Sequence, residues 1–488
     1  MNWAGERVHV VWQVLALACG ILLGAWFGIM VNWRWTAASF NNTGASLVVI
    51  GVALFALVSW RSYRYLVPVA LFSGMLIGGG RGLISQGQLT VWRTVVKRVA
   101  VVQGVVATDP DQQSEQTSLT LTEVRLRGRR VAGRVYVGLP VNTRVRRGDL
   151  IEVKGHVFQG FGAYAASVKG NLSWRQEPKW NLVKLRDQFS DRLKQLFSSD
   201  EAALAAGILL GEQADLGGEL KSAFVIAALT HILVASGYNL TIIVRFARRL
   251  FAERRLLSLL LAGGLIILFD LLAGLNASLW RASLVAGLSL LAWYVGRHFH
   301  PAVILALVAA MTVLVDPWQL QDIGWQLSFL SFGGVLLLAP LVNAVFKEVV
   351  GRYRKWTQSL SQVVVETLCA QAVTLPVILY LTNILPLMGL VSNILVVPLI
   401  PLAMLLAFAA GVAGCILPLA IARWLAWPAH CLLSWVIGVT DWCASLGGQI
   451  HFKMDLLLSV AFYVGLVALG AYLKYLTKHN YFTDNVVQ

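Results

Sequence analysis

The sequence predicts a polytopic α-helical membrane protein of about 12 spans with a small all-β domain inserted after the third. Three observations predict this. The 488 residues are 57% apolar and only 13% charged, with a mean hydropathy of +0.69, more apolar residue than one or two soluble cores bury. Apolar runs of spanning length recur from residue 8 to residue 473. Between about 88 and 180 they stop, and period-two alternation bounded by turn signals replaces them. Soluble enzymes are thereby excluded. The 40 Lys+Arg against 24 Asp+Glu, a net charge of +16, point to an anionic partner as well as to anionic lipid.

Residues 1–82 read as a three-span unit, with runs near 8–31, 44–60 and 65–80 separated by Asn32–Asn42 and Arg61–Arg64. The first run is longer than a signal-peptide core and lacks a small-x-small cleavage site, so it reads as a retained span. Residues 88–180 form the β domain, with strands expected at 97–107, 118–127, 131–139, 149–158 and 165–175. Five short strands in so little chain suit a small barrel of the OB type. This stretch holds 15 Lys and Arg against 7 Asp and Glu, half of the chain's net charge.

Residues 181–220 come next. Leu182, Leu185, Phe189, Leu193 and Leu196 recur at helical spacing with charged residues between them, which predicts an amphipathic helix lying along the membrane surface. Ser198 and Glu201 make a capping-box pattern opening a helix through Leu210, and Gly211, Gly217 and Gly218 break it. Residues 221–478 are a second, larger transmembrane unit. Its spans are expected near 222–244, 256–274, 278–296, 301–315, 325–345, 360–381, 386–417 (broken by Pro398 and Pro401), 425–442 and 455–473. Short basic loops at 245–255, Arg297, 347–355, Arg423 and 474–478 are expected on the cytoplasmic side, which puts the N-terminus inside and the β domain outside.

Several residues stand out against this apolar background. Thr230, His231, Ser236, Gly237 and Asn239 fall inside one span. A mid-span Ser-Gly unwinds a helix only where the freed backbone is buried in protein or faces a wet cavity. The alternative is interhelical packing through small residues with a hydrogen-bonded histidine. Asp270, Arg281 and Glu366 lie in apolar runs, where ionisable groups face partners or a water-filled path. An Asp270–Arg281 pair across the short turn either staples two helices or lines a pathway for an anion. Gln326, Gln371 and Asn393 add neutral donors with the same two readings.

In the β domain, Arg125, Arg127, Arg129 and Arg130, and again Arg144, Arg146 and Arg147, lie beside Tyr136, Phe158, Phe161, Tyr164 and Trp174. Cations that track a backbone with aromatics that stack are how single-stranded nucleic acid is bound on such barrels, and a basic face drawn to the bilayer is the other reading. Cys19, Cys369, Cys415, Cys431 and Cys443 stand apart without CxxC spacing, so neither a disulfide framework, a metal site nor a cofactor is expected.

The stretch 207–240 resembles the central signature of the ComEC family, the competence proteins that form the DNA-internalisation channel of naturally transformable bacteria. The likeness continues through Arg281-Ala282, Asp316-Pro317, Gly324-Trp-Gln-Leu-Ser-Phe329, Gln371 with Leu375-Pro376, and Asn393 through Pro398. The order of parts agrees along nearly the whole chain. The resemblance implies a channel that passes one DNA strand into the cytoplasm, without catalysis, along a path including His231, Ser236, Gly237, Asn239, Asp270, Arg281, Gln326, Gln371 and Asn393.

It also implies membrane lipids around the chain, an external DNA receptor and a cytoplasmic helicase-type ATPase as partners, since no phosphate-binding loop is present. Two departures stand out. Asn239 occupies a position where many members carry a second histidine. The metallo-β-lactamase-like C-terminal domain of many members is expected to be missing, because His298-Phe-His300 is the only HxH and no Asp-His follows; a separate nuclease would then degrade the other strand. The rival class is a secondary transporter or flippase for a lipid-linked or polyanionic substrate. A membrane hydrolase using Ser236 and His231 is disfavoured, because a spacing of five turns the two side chains apart on a helix.

Overall fold

The computed structural model describes the chain except residues 1–2, 31–36, 62–65, 109, 113–115, 142, 144, 178–180, 212–216, 234–239, 241–243, 245–246, 249–253, 274–276, 297–299, 351–354, 448 and 478–488. Two units divide it: residues 1–179 with 297–326, and residues 180–296 with 327–485. Among the described residues seven helices are long and apolar enough to cross a membrane: Val11–Met30, Ala38–Ala56, Val67–Arg93, Arg255–Ala273, Ile323–Phe346, Val364–Thr382 and Leu456–Thr477. A bent pair makes an eighth. The protein is therefore a mostly helical membrane protein.

The shortfall against the expected number has local causes. In the 222–244 stretch the helix that begins at Gly218 ends at Ile226. The helix Pro301–Val315 has only 15 residues, about 22 Å of rise. The helix Ala277–Tyr294 carries Arg281 and several hydroxyls, and Leu419–Ser445 carries Arg423, His430 and Asp441.

In the first unit, helices α1 (Trp3–Met30), α2 (Ala37–Arg61) and α3 (Leu66–Arg93) pack through glycine. Gly20, Gly24 and Gly28 on α1 face Gly74, Gly78 and Gly82 on α3, one residue per helical turn, so the two backbones touch. A Cβ on Gly24 would overlap the carbonyl of Met75, and one on Gly78 that of Ile21. The Pro301–Val315 helix belongs to this unit, and Arg81 of α3 donates to Leu314 O and Val315 O, both at 2.7 Å. Those carbonyls end a helix and have no partner within it.

The strands β1 (Val99–Val106), β2 (Thr117–Leu126), β3 (Arg134–Leu139), β4 (Leu150–Gln159) and β5 (Tyr164–Gln176) begin and end within three residues of the expected positions. They close in the order β1-β4-β5-β3-β2-β1, antiparallel except for the β3–β5 pair. Inward residues such as Val102, Leu121, Val135, Ile151, Val153 and Val168 are fully buried and make the barrel core. The β2 hairpin turns at Arg127-Gly128, both at positive φ, the pairing that matches strand twist in a two-residue turn.

In the second unit, α4 (Asn181–Leu196) and α5 (Ser199–Leu210) form as expected, and Gly211 caps α5 in the left-handed region at φ 69°. Part of the apolar face of α4 is taken up within the protein. Phe189, Leu193 and Leu196 pack against Gly411 and Gly414, where the missing side chains leave a groove that receives them. Helices α6 (Gly218–Ile226), α7 (Lys355–Thr382), α8 (Gly389–Val396), α9 (Ile400–Ile416) and α10 (Leu419–Ser445) follow. Between α8 and α9, where Pro398 falls and just before Pro401 in the first turn of α9, the chain bends by 51°. Short strands β6 (Ile384–Pro386) and β7 (Gln449–His451) pair across sixty residues of sequence, a contact that no local pattern announces.

Gly24→Val puts a branched side chain into a backbone contact and is expected to destabilise the first unit by at least about 3 kcal/mol, the upper range for overpacking. Gly263→Ala, where an added Cβ meets nothing within 4 Å, is expected to be neutral. Thermal unfolding of the two purified variants in one detergent measures the difference.

Candidate nucleic-acid interface and broken crossing

The β-barrel gathers three of the residue clusters expected from sequence. Paired residues across a sheet project to the same side, and Trp174, Glu152, Gln103, Arg125 and Arg130 are successive partners across β5, β4, β1, β2 and the short strand Arg129–Arg130. All five are exposed or half-exposed. Adjacent strands lie about 4.8 Å apart, so the row from Trp174 to Arg125 runs about 14 Å round the barrel wall. Arg127 and Arg129 lie at the adjoining hairpin and are exposed.

Arg146 and Arg147 stand in the turn that Asp149 closes. Its buried carboxylate accepts from the Arg146 backbone N–H at 2.6 Å and ion-pairs Arg175 at 2.7 Å, beside Trp174. Arg144 lies outside the described residues. Tyr136 is not part of this row: it clusters with Phe161 and Tyr164, and Tyr164 stands ten residues before Trp174 on β5, about 33 Å along the strand.

In the second unit two interruptions of the chain meet. After α6, Ala228 adopts φ 56°, a conformation costly for a residue with a Cβ, and a single 3-10 turn, Thr230–Ile232, follows. His231 lies exposed on that turn. Ser236, Gly237 and Asn239 lie outside the described residues. The other interruption runs from Asn383, at φ 54°, through β6 into α8. Ser392 Oγ donates to Ala227 O at 2.6 Å, which satisfies a carbonyl freed by the first break. Gly389 leaves room for the Ala228 Cβ, which would lie 2.9 Å from a Cβ at that position.

Gln371 closes the same region by donating to Gly389 O at 3.2 Å. Asn393 is 4% exposed, and its Oδ1 is buried without a hydrogen-bond donor among the described residues. Residues that sequence reading had placed in three separate spans thus converge on two facing breaks. Such strain and freed backbone concentrate where a helical protein opens to polar cargo.

The remaining expected residues are placed otherwise. Asp270 is buried and accepts from Ser283 Oγ at 2.6 Å instead of pairing with Arg281. Two positions on a helix are about 200° apart, so the face that brings Ser283 to Asp270 turns Arg281 away. Arg281 is itself 3% exposed. Gln326 donates to Leu320 O at 2.7 Å, folding back on the 3-10 turn Pro317–Gln321 within the first unit.

One cluster escaped sequence reading. Glu201, buried at the start of α5, accepts from Ser434 Oγ and contacts His430 Nδ1 at 2.8–2.9 Å, besides accepting from the Ser198 N–H at 3.2 Å. Burial raises its pKa, but these donors outweigh it and leave the carboxyl below its ordinary value. The i, i+4 spacing of His430 and Ser434 was the only signal available. Among the described residues no three His, Cys, Asp or Glu side chains group as a metal would require.

A family model described as Competence protein matches residues 208–476, more than half of the chain. The chain belongs to the competence protein family. The match takes in α6, the Ala228 break, α7, α8 and the bent pair. ComE operon protein 3 of Bacillus subtilis (strain 168) is 26% identical over 254 residues, which cover 51% of this chain and 31% of that protein. This competence-family chain thus aligns with less than a third of its relative's length. No solved structure matches it.

The facing breaks make paired tests. Ser392→Ala strips Ala227 O of its donor and is expected to cost about 1–3 kcal/mol. Gly389→Ala is expected to destabilise as well, whereas Ala228→Gly, which relieves the left-handed backbone, is expected to stabilise by about 1 kcal/mol. The double change Ala228→Gly with Gly389→Ala is expected to be less harmful than Gly389→Ala alone, as thermal melts of the four proteins would show.

Proposed function

We propose that this protein is a channel of the bacterial cytoplasmic membrane that admits single-stranded DNA during natural transformation and performs no reaction itself. The observation that carries the reading is the outward row of Trp174, Glu152, Gln103, Arg125 and Arg130, in which two guanidinium groups outnumber one carboxylate, with Arg127 and Arg129 at the adjoining hairpin and Arg146 and Arg147 in the turn before β4. Guanidinium groups neutralise phosphates and an exposed indole stacks on a base. Membership of the competence family supports the biological setting. The strand order, with one parallel pair in a closed five-stranded barrel, supports an OB-type domain, which this reading sets on the outer side of the membrane.

In this reading the four segments 222–244, 278–296, 301–315 and 425–442 complete about twelve crossings through association with neighbouring helices. The strand passes through the second unit near His231, Ser236–Asn239, Gln371 and Asn393, where two breaks in the chain expose polar backbone. Arg281 and Asp270 tune the field along it. An external DNA receptor delivers the strand, a cytoplasmic helicase-type ATPase draws it inward, a separate nuclease removes its complement, and lipid surrounds the spans.

Deleting the gene in a demonstrably competent host is expected to abolish internalisation of labelled DNA while leaving surface-bound DNA in place. Unchanged uptake would assign the chain to another cargo and make a flippase or transporter the next reading. In the purified full-length protein, replacing Arg125, Arg127, Arg129 and Arg130 by Ala is expected to flatten the dependence of log K on log salt by up to about 3 units, about 0.7 for each phosphate of a single strand that is no longer neutralised. An unchanged slope in a binding assay would remove the basic hairpin from the interface.

A further inference from the structure

Away from the basic row, the barrel carries three rings: Tyr136 on β3, Phe161 in the loop between β4 and β5, and Tyr164 at the head of β5. Their centroids lie 5.2–5.7 Å apart with tilted or edge-on geometry. The turn that holds them is tight. The Tyr164 N–H donates to Phe161 O at 3.0 Å, and Gly162 sits at φ 54°, a conformation that favours glycine. Tyr164 Oη lies 3.4 Å from the Thr120 hydroxyl on β2, which fixes the second ring. Phe161 is nevertheless 54% exposed, and the two tyrosines are half-exposed.

The charge beside this cluster is of mixed sign: exposed Lys169 pairs with Gly138, two residues after Tyr136, and carboxylates stand close by. Arg134 pairs with Tyr164 in sheet register and stands two residues before Tyr136, so it shares that side of β3. Its guanidinium lies 3.4 Å from Asp316 and 3.9 Å from Asp322. The arginine nearest the rings is thus already matched by two carboxylates. A phosphate arriving here would meet carboxylates as well as a cation. A flat, uncharged, polarisable ligand would meet only ring surface, held in place before it arrives.

We propose that Phe161, Tyr136 and Tyr164 form a stacking site for the bases of single-stranded DNA, separate from the basic row. The inference rests on the DNA-channel reading above. Two kinds of contact with one strand are then divided in space. The basic row collects phosphates and releases counterions, so its contribution weakens with salt. The ring cluster takes bases, so its contribution does not. Thr120 pairs with Tyr136, and the hairpin tip at Arg127 lies seven residues further along β2, about 23 Å away, so one extended strand can reach both. Rings at a barrel surface also suit a bilayer interface, and the test below separates the two.

Full-length protein in lipid nanodiscs is titrated with a labelled oligothymidine and with an abasic oligomer of the same length, at several salt concentrations. Phe161→Ala is expected to weaken oligothymidine binding by about tenfold, within the range for losing one stacked base, by the same factor at every salt concentration. It is expected to leave abasic binding unchanged, and Phe161→Trp is expected to retain affinity. Because Phe161 is largely exposed, neither change threatens the fold. Wild-type affinity in Phe161→Ala for oligothymidine overturns the proposal, and so does an equal loss on the abasic oligomer or a changed salt slope. If Phe161→Ala instead lowers only flotation of the protein's outer face with added vesicles, the rings are a bilayer anchor and the proposal falls. Wild-type protein that binds neither oligomer overturns the DNA reading along with it, whereas wild-type binding with an indifferent Phe161→Ala overturns this site alone.

Discussion

Backbone carbonyls and amides inside a bilayer have no water to turn to, and that constraint decides where this chain can stop being helical. Several of the described interruptions are closed by a side chain from elsewhere in the same unit. Ser392 reaches Ala227 O, Gln371 reaches Gly389 O, and Arg81 takes both Leu314 O and Val315 O. Gln86 of α3 donates to Ile29 O near the end of α1 in the same manner. Trp325 Nε1 bonds the Thr312 hydroxyl at 3.0 Å, holding the end of the short helix before Asp316. These donors are polar residues in apolar surroundings, and their first role is to make broken helices tolerable.

The same requirement bears on the proposed path. An unbroken helix exposes no backbone to a solute, so a polar path needs breaks, and breaks need closing partners. Where two breaks face each other, as at Ala228 and Gly389, part of the polar backbone is satisfied and part remains available. Asn393, with a buried Oδ1 that finds no donor among the described residues, marks the unsatisfied side. Close packing supplies the rigidity around it. In the first unit glycine rows let α1 and α3 touch backbone to backbone, and in the second Gly411 and Gly414 accept the apolar face of α4.

Electrostatics divide the barrel into two surfaces of different character. One side concentrates guanidinium groups along a row closed by Trp174. The other sets Arg134 against two carboxylates, Asp316 and Asp322, and carries three rings. Net charge alone does not predict this division, because Arg134 counts equally with Arg125 in any sum. The register of five strands decides which cation meets a carboxylate and which stands free of one.

What the sequence by itself determined is what acts over a few residues. Period-two alternation located the five barrel strands, Ser198 and Gly211 bounded α5, and Pro398 with Pro401 marked the bend of 51°. Apolar run length identified the seven long crossings, and the polar pattern at 229–240 drew attention to the stretch where the first break falls. Only the tertiary structure decided the pairings: Glu201 with His430 and Ser434, Ser392 with Ala227, Asp270 with Ser283 instead of Arg281, β6 with β7, and Trp174 with the Arg125 row instead of with Tyr136. The physical reason is that periodicity and backbone preference are local, whereas the donor that reaches a given acceptor is set by how distant segments pack, and no spacing within either segment records it.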